Sequence, residues 1–232
     1  MDKAEFDKFA DEYRSVHTAN IAISGEQPDY FADYKIKDLA AEYFAHGSRT
    51  DAPAVLDFGA GIGTSVPFVQ KYLPHAQLTC LDVSAKSLEI GRIRFPEQAT
   101  FMLFDGSHIP FLDASFDIAF AACVFHHIDH AKHVALLTEI RRVLTPNGIA
   151  MIFEHNPYNP VTVRVVNTCP FDENAHLIRA RAMRKRITEA GFNNVQIRYR
   201  IFFPRILRIF RPLERWMTWL PLGGQYYALA QK

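Results

Sequence analysis

The chain has 232 residues, of which 49% are hydrophobic and 22% are charged, and its formal net charge is +1. This ordinary balance excludes wholesale disorder, and the length suits one compact domain with a small extension. Three widely spaced cysteines, Cys80, Cys123 and Cys169, form no CxxC pair, which argues against a disulfide framework or a zinc knuckle. The charged N-terminus and the lack of an apolar run of about 18 residues predict no signal peptide and no membrane-spanning helix. A cytoplasmic setting is the resulting expectation.

Apolar runs and helix-type periodicity alternate along the chain and predict strands and helices in turn. A helix is expected at 31–45, and a stretch from 155 to 176 is expected to be irregular because Pro157, Pro160 and Pro170 prevent a long helix. The other predicted elements are strands at 54–58, 77–81, 100–104, 116–121, 148–154, 195–203 and 225–231, and helices at 64–73, 84–93, 131–144 and 177–190. Seven strands with interleaved helices predict a doubly wound α/β sheet, in which ligands lie at the carboxyl ends of the strands.

A glycine-rich turn, Asp57-Phe58-Gly59-Ala60-Gly61-Ile62-Gly63, joins the first predicted strand to the next helix. Glycine removes the Cβ, so backbone N–H groups in such a turn can come close to a ligand. The dinucleotide fingerprint G-x-G-x-x-G would need a glycine at position 64, where Thr64 stands. The acid followed by three alternate glycines instead resembles motif I (D/E-x-G-x-G-x-G) of the class I S-adenosylmethionine-dependent methyltransferases.

Two acids at later strand ends extend this resemblance. Asp82 ends the second predicted strand, where a carboxylate can accept hydrogen bonds from both hydroxyls of a ribose. Asp105 ends the third, and the resemblance implies that it accepts from the exocyclic amine of adenine. The runs Ile109 to Asp117 and Val143 to Gly148 resemble the family's lead into strand four and its turn before strand five. The resemblance covers about residues 50 to 155.

Membership of this family implies a Rossmann-like, doubly wound seven-stranded sheet, mostly parallel with an antiparallel last strand. It implies a helical lid at 1–50, whose aromatic residues, Tyr13 among them, would suit plain packing on the sheet equally well. The core would be 51–232 with an insertion at about 155–176. The implied cofactor is S-adenosyl-L-methionine, and its implied contacts are Asp57, Gly59, Ala60, Gly61, Gly63, Asp82, Val83, Asp105, Gly106 and Cys123.

The implied activity is methyl transfer to a small-molecule or lipid-linked acceptor. Two alternatives stay open, an NAD-type oxidoreductase, which Thr64 and Asp105 disfavour, and a non-catalytic homologue that only binds the nucleoside. The sulfonium of the methyl donor is already a good leaving group, so the protein must chiefly hold the reactants in line and exclude water. A general base is needed only where the nucleophile loses a proton.

Histidines supply the candidate catalytic groups. His126, His127, His130 and His133 follow the fourth predicted strand, and their spacing is compatible with a metal site. No Cys or Glu stands at a matching offset and H-E-x-x-H is absent, so no metal is predicted. The candidates for catalysis are His127 and, as the leading base, His155. In the alternative interpretation of the loop after the fifth strand, its prolines only shape it and His155 only holds hydrogen bonds.

Charge is distributed unevenly, with eleven acids and six Lys or Arg in residues 1–51 against two acids and eleven Lys or Arg in 177–215. In residues 204–220, arginines recur every three or four positions among apolar residues that include Trp216 and Trp219. This pattern is typical of a helix on a membrane surface, which would make the protein membrane-peripheral and its substrate lipid-linked. The more ordinary alternative is a helix that covers the sheet with its arginines in water. Nucleic acid is not an expected partner, because the whole chain is near neutral and contains no known nucleic-acid module. The oligomeric state is not predicted.

Overall fold

The computed structural model describes residues 21–46 and 50–232, so residues 1–20 of the predicted lid, with Tyr13 among them, and residues 47–49 lie outside the described residues. The helices are α1 (Pro28–Ala45), α2 (Val66–Tyr72), α3 (Ala85–Arg94), α4 (His133–Val143), α5 (Pro160–Asn167), α6 (Ala180–Glu189) and α7 (Glu214–Met217). The strands are β1 (Ala54–Phe58), β2 (Gln77–Asp82), β3 (Thr100–Leu103), β4 (Phe116–Ala122), β5 (Leu144–His155), β6 (Asn193–Arg200) and β7 (Gln225–Gln231).

These strands form one sheet with the order β3-β2-β1-β4-β5-β7-β6. The pairs from β3 to β5 are parallel, whereas β7 runs antiparallel to both of its neighbours, β5 and β6. The predicted doubly wound sheet with an antiparallel last strand is therefore confirmed. The strand order reverses between β1 and β4, and this switch point opens a crevice at the carboxyl ends of the strands.

The sheet is buried on both faces, as apolar strands of a parallel sheet require. One face packs against α1, α2 and α3, with Leu39, Val69 and Leu88 fully or almost fully buried. The other packs against α4 and α6, through residues such as Leu137 and Met183. Neighbouring residues of one strand therefore point into different halves of the core.

Three stretches differ from the sequence prediction. The expected irregular region contains α5, because Pro160 stands in the first turn of the helix, where its missing N–H costs nothing. The predicted turn before strand five lies within β5, whose pairing with β4 begins at Leu144 and shifts register before Ile149. Strand β6 ends at Arg200 rather than at 203, and the next residue, Ile201, takes a left-handed φ of 64°.

Residues 204–220 form a broken segment rather than one helix, as Pro212 in the sequence predicts. A 3₁₀ segment, Arg205–Leu213, bends at Leu207 and continues into the single turn of α7. Its apolar side chains face outward, and Ile206 and Ile209 are 88% and 79% exposed. The alternative in which this segment covers the sheet with its apolar face is therefore wrong for these residues. No helix among the described residues is both long enough and apolar enough to cross a bilayer.

Candidate active site

The glycine turn after β1 is fastened to the end of β2. The N–H groups of Gly59 and Ala60 both donate to the Leu81 carbonyl, at 2.7 and 3.1 Å, and the Gly61 N–H donates to Asp82 Oδ2 at 2.8 Å. Gly59, Gly61 and Gly63 all have positive φ, between 53° and 78°, a conformation that other residues adopt only with strain.

Two of these glycines have different surroundings. A Cβ on Gly59 would stand 2.6 Å from both methyl groups of Val124, the second residue after β4, whereas a Cβ on Gly61 would meet no atom within 4 Å. The turn therefore packs closely against the β4 end at Gly59 and faces open space at Gly61. That open space lies at the switch point, where a ligand of this fold is expected.

Asp57 is a buried carboxyl beneath the turn, and its Oδ2 accepts a hydrogen bond from the Ser65 hydroxyl. Burial raises the pKa of Asp57 to about 7, although the Ser65 hydrogen bond and the charge of Lys35 lower it. The Ser65 contact ties Asp57 to the start of α2, because Ser65 immediately precedes that helix.

The acids at the ends of β2 and β3 differ in their surroundings. Asp82 is buried, and besides the Gly61 N–H it accepts the Ser84 N–H at 2.8 Å. Asp105 is exposed, and hydrogen bonds from the backbone N–H groups of His108 and Ser107 lower its pKa to about 2. Asp105 is therefore ionised and acceptor-only at neutral pH, as its predicted contact with adenine requires.

A polar cluster lies where β4, β5 and β7 meet α1. Cys123 has a left-handed φ of 62°, and its N–H donates to the Phe153 carbonyl of β5 at 2.9 Å. Lys35 Nζ lies 3.2 Å from Cys123 Sγ, and Gln225 Nε2 lies 3.7 Å from the same sulfur and 3.4 Å from His155 Nδ1. Burial opposes ionisation of Cys123, but Lys35 and then His155 outweigh it and lower the pKa of the thiol to about 7.

A second polar cluster adjoins the first through His126, whose ring centroid is 5.1 Å from that of His155. His126 is buried and its Nδ1 lies 2.6 Å from Glu154 Oε2. Asp172 Oδ1 lies 3.5 Å from His126 Nε2 and 3.3 Å from His127 Nε2. Burial lowers the pKa of His127 to about 3, and the neighbouring His126 lowers it as well. The neutral His127 ring is therefore engaged by Asp172.

The other two histidines of the sequence cluster face elsewhere. His133 is buried, and its two ring nitrogens contact the Ile128 carbonyl at 3.0 Å and Arg186 at 2.8 Å. The ring of His130 packs near those of His133 and His176. The four histidines thus separate into a pair at the polar clusters and a pair on α4 and its lead-in.

A family model described as a methyltransferase domain matches residues 56–152, from the end of β1 into β5. Residues 56–152 form a domain of the class I S-adenosylmethionine-dependent methyltransferase family. The methyl donor of this family is S-adenosylmethionine.

Two methyltransferase relatives show how far the sequence likeness extends. The chain is 36% identical over 105 residues to the demethylmenaquinone methyltransferase of Thermotoga maritima, which covers 45% of this chain and 44% of that protein. It is 28% identical over 188 residues to the trans-aconitate 2-methyltransferase of Azoarcus sp., covering 81% and 68%. The match thus spans less than half the length of the first relative.

A solved methyltransferase structure shares the fold over the whole chain. It comes from Thermotoga maritima and is described as a methyltransferase and possible histamine N-methyltransferase. Its TM-score is 0.67 at 16% identity, and the match covers 99% of this chain and 98% of that one. At this identity the likeness concerns the fold alone.

The loop after β5 is held by its asparagines. Asn156 is fully buried, donates to the carbonyls of Pro221 and Gly223, and accepts the Tyr158 N–H. Asn159 caps α5 by accepting the Thr162 N–H. These bonds support the structural interpretation of the loop, while the roles of His155 and His127 in catalysis stay predictions.

Sequence reasoning missed several members of the two clusters. Lys35 and Tyr34 come from α1, Gln225 begins β7, and Asp172 ends a 3₁₀ turn, Pro170–Asp172. None of these residues belongs to a motif, and each reaches the site through long-range packing. The members of the clusters that the sequence did predict, Cys123, His127 and His155, follow β4 or end β5.

Proposed function

We propose that this chain transfers the methyl group of S-adenosylmethionine to a lipid-linked acceptor that it meets at a membrane surface. The observation that carries the choice of acceptor is the outward-facing apolar and basic surface of residues 204–220, called the edge segment below. The family relationship supports the methyl donor, and the site geometry supports the placement of the reaction.

The methyl donor would lie across the switch point. Its methionine part would lie against Gly59, Gly61 and Gly63, with Asp82 on the ribose and Asp105 near adenine. The open space beside Gly61 supports this placement. The methyl group would then face the β4 end, where Cys123 and His155 lie in one polar cluster. An acceptor that must lose a proton would give it to His155, the leading candidate base.

The edge segment is anchored by polar contacts on its inner side. The buried carboxylate of Glu214 accepts the N–H groups of Phe202 and Phe203 at 3.1 and 3.0 Å. Arg211 pairs with Glu26 at 2.5 Å and lies over the ring of Tyr30. These contacts fix the backbone of the edge segment and the side chain of Arg211. The folded structure therefore sets the outward direction of the apolar side chains.

The outer side of the edge segment combines large apolar groups with exposed arginines. Trp216 and Trp219 are 60% and 72% exposed, in addition to the exposed Ile206 and Ile209. The exposed arginines of this side are Arg205, Arg208 and Arg215. Contiguous exposed apolar surface marks an interaction site, and Trp beside Arg suits the interface of a membrane with anionic lipids. Each such arginine contributes about 1 kcal/mol near an anionic surface.

The edge segment lies at the same carboxyl edge of the sheet as the polar cluster of Cys123 and His155. Strand β6 runs parallel to β5, since β7 is antiparallel to both, and the segment follows the carboxyl end of β6. Arg200 at that end is in register with Gln225, which in turn is in register with His155. A lipid-linked molecule held by the edge segment would therefore have its head group close to the polar cluster.

A named relative supplies the first acceptor to test. Demethylmenaquinone, the substrate in the name of the 36% identical relative, combines an apolar chain with a methylatable ring. Trans-aconitate, in the name of the 28% identical relative, is a water-soluble acid and serves as the contrasting acceptor. Transfer of labelled methyl from S-adenosylmethionine to demethylmenaquinone in vesicles, exceeding transfer to trans-aconitate, is the expected result.

Calorimetry with S-adenosylmethionine and with NAD distinguishes a methyltransferase from an oxidoreductase. Binding of S-adenosylmethionine without binding of NAD is expected, and the reverse would favour an oxidoreductase. Binding of the methyl donor with no transfer to any acceptor in the panel, including a total lipid extract, would favour the non-catalytic homologue and contradict the proposal.

The membrane step has its own test by vesicle sedimentation. The full chain is expected to sediment with vesicles of phosphatidylcholine and phosphatidylglycerol, less with phosphatidylcholine alone, and less at raised salt. Replacing Ile206 and Ile209 together by Glu should abolish sedimentation. The matched control replaces Ile93 and Leu112, which are 74% and 83% exposed elsewhere, and should change nothing. Equal loss in both double variants, or none in either, would contradict the membrane role of the edge segment.

A further inference from the structure

Three side-chain atoms that could hold a metal ion lie close together beside the polar cluster of Cys123 and His155. They belong to His126, His127 and Asp172, each of which offers one ligand atom, and the three atoms lie within 4.8 Å of one another. The two histidines belong to the 3₁₀ turn Phe125–His127 that follows β4, and Asp172 ends the turn Pro170–Asp172. We propose that His126, His127 and Asp172 bind a zinc ion.

The spacing of these atoms fits tetrahedral coordination. Zinc bonds of about 2.0–2.2 Å at tetrahedral angles place neighbouring ligand atoms about 3.3–3.6 Å apart. Asp172 Oδ1 lies 3.5 Å from His126 Nε2 and 3.3 Å from His127 Nε2. Both separations match those expected for two ligands of one zinc ion.

A second observation is the carboxylate behind His126. Glu154 Oε2 lies 2.6 Å from His126 Nδ1, and its other oxygen accepts the Phe125 N–H at 2.8 Å. Glu154 is fully buried and His126 is 1% exposed. A buried carboxylate that accepts a hydrogen bond from one imidazole nitrogen leaves the other nitrogen to bind a metal. This is the usual arrangement behind a histidine ligand.

The ligand set indicates the class of metal and an open coordination position. Two imidazoles and one carboxylate suit zinc with water or substrate as the fourth ligand. The side chains of His127 and Asp172 are 13% and 12% exposed, so the site is reachable on that side while His126 and Glu154 close the other. The fourth ligand would be a solvent or acceptor oxygen. This site is independent of the proposed membrane contact and of the acceptor's identity.

The competing arrangement has no metal. A protonated His126 between Glu154 and Asp172 would also hold the three groups together as a buried ion pair with two carboxylates. In that case the charge of His126 would hold Asp172 in place without an ion. Replacing His127 would then leave the affinity for a cation unchanged. Metal titration therefore distinguishes the two.

The test uses the full chain after treatment with a chelator and dialysis. Calorimetric titration with Zn²⁺ should give one ion per chain at micromolar or lower dissociation constant, and Co²⁺ should produce visible absorption bands of a tetrahedral site. Asp172→Asn and His127→Gln should each weaken Zn²⁺ binding at least tenfold, and Glu154→Gln by about ten- to a hundredfold. Circular dichroism of each metal-free variant checks that it is folded.

Two kinds of control localise the ion. His130→Gln and His176→Gln alter the neighbouring pair of histidines and should leave the Zn²⁺ affinity unchanged. Cys123→Ala should also retain the ion, since zinc held by the thiol would be a different site. Absence of stoichiometric Zn²⁺ binding by the wild-type chain would overturn the proposal. Binding that survives both Asp172→Asn and His127→Gln, or is lost in Cys123→Ala, would overturn it as well.

Discussion

Lys35 Nζ lies 3.2 Å from Cys123 Sγ and so joins α1 to the end of β4. The contact brings a helix that precedes the whole sheet into the polar cluster at the carboxyl edge. It also gives the thiol a cationic partner in a half-buried position, where burial alone would keep it protonated. The reactivity of Cys123 therefore reports directly on the position of α1.

Alkylation of Cys123 by iodoacetamide should increase with pH around a midpoint of about 7, the pKa to which Lys35 and His155 lower the thiol. Replacing Lys35 by Met removes the cation, so the midpoint should move up toward the ordinary value of about 8.5. The rate is measured by mass spectrometry of the Cys123 peptide, with the buried Cys80 and Cys169 as internal references. Lys37→Met, an exposed change on the same helix, is the control. One common midpoint in all three proteins would contradict the contact.

Gly59→Ala should chiefly lower the stability of the fold, whereas Gly61→Ala should chiefly weaken binding of S-adenosylmethionine. Both place a side chain at positive φ, which costs about 1–2 kcal/mol. Gly59→Ala adds the clash with Val124, so it should lose about 1–3 kcal/mol more stability. Gly61→Ala should stay folded yet bind S-adenosylmethionine at least tenfold more weakly, because its methyl group enters the open space. Denaturant unfolding and calorimetry measure the two effects.

A rescue variant checks the cause of the Gly59 effect. Val124→Ala removes the two methyl groups that the new Cβ would strike, so combining it with Gly59→Ala should recover part of the lost stability. If the double variant is as unstable as the sum of the single changes, the close approach of the turn to the β4 end is not the cause.

Asp57→Asn should change how stability depends on pH. The folded-state pKa of about 7 exceeds the unfolded value of about 3.9, so wild-type stability falls as pH rises between these values. Asn has no such dependence and can still accept the Ser65 hydrogen bond. The variant should therefore match the wild type near pH 4 and exceed it at pH 8 by up to about 4 kcal/mol. Urea unfolding at both pH values measures this, with exposed Asp51→Asn as the control. A stability difference that does not grow with pH would rule out the raised pKa.

Asp82→Asn should reduce the affinity for S-adenosylmethionine at least tenfold, about 1.4 kcal/mol, in calorimetry. The change weakens the anchor of the Gly61 N–H and removes an acceptor for the ribose hydroxyls. Asp105→Asn, whose carbonyl can still accept from adenine, should cost less, and Glu189→Gln on α6 should cost nothing. An Asp82→Asn variant with unchanged affinity would show that the ribose lies elsewhere.

Some elements could be read closely from local patterns. The bounds of β1 and β7 agree with the predicted strands at 54–58 and 225–231, because each is a short apolar run between turn residues. Strand β6 was predicted too long, since the left-handed Ile201 that ends it is a β-branched residue and carries no turn signal. Helix α5 has no clear sequence signal, because Pro160 is typical of irregular structure and also of the first turn of a helix, where it stands here.

The sequence by itself determined the family, the sheet and the positions of the glycine turn and of Asp57, Asp82 and Asp105. These features depend on residues that are close in the chain, and a strand followed by a turn has few ways to fold. Only the tertiary structure decided that Asp172 meets His126 and His127, and that the apolar residues of the edge segment face outward. These depend on packing between distant segments, and no local periodicity records which face of a short 3₁₀ segment the rest of the chain will cover.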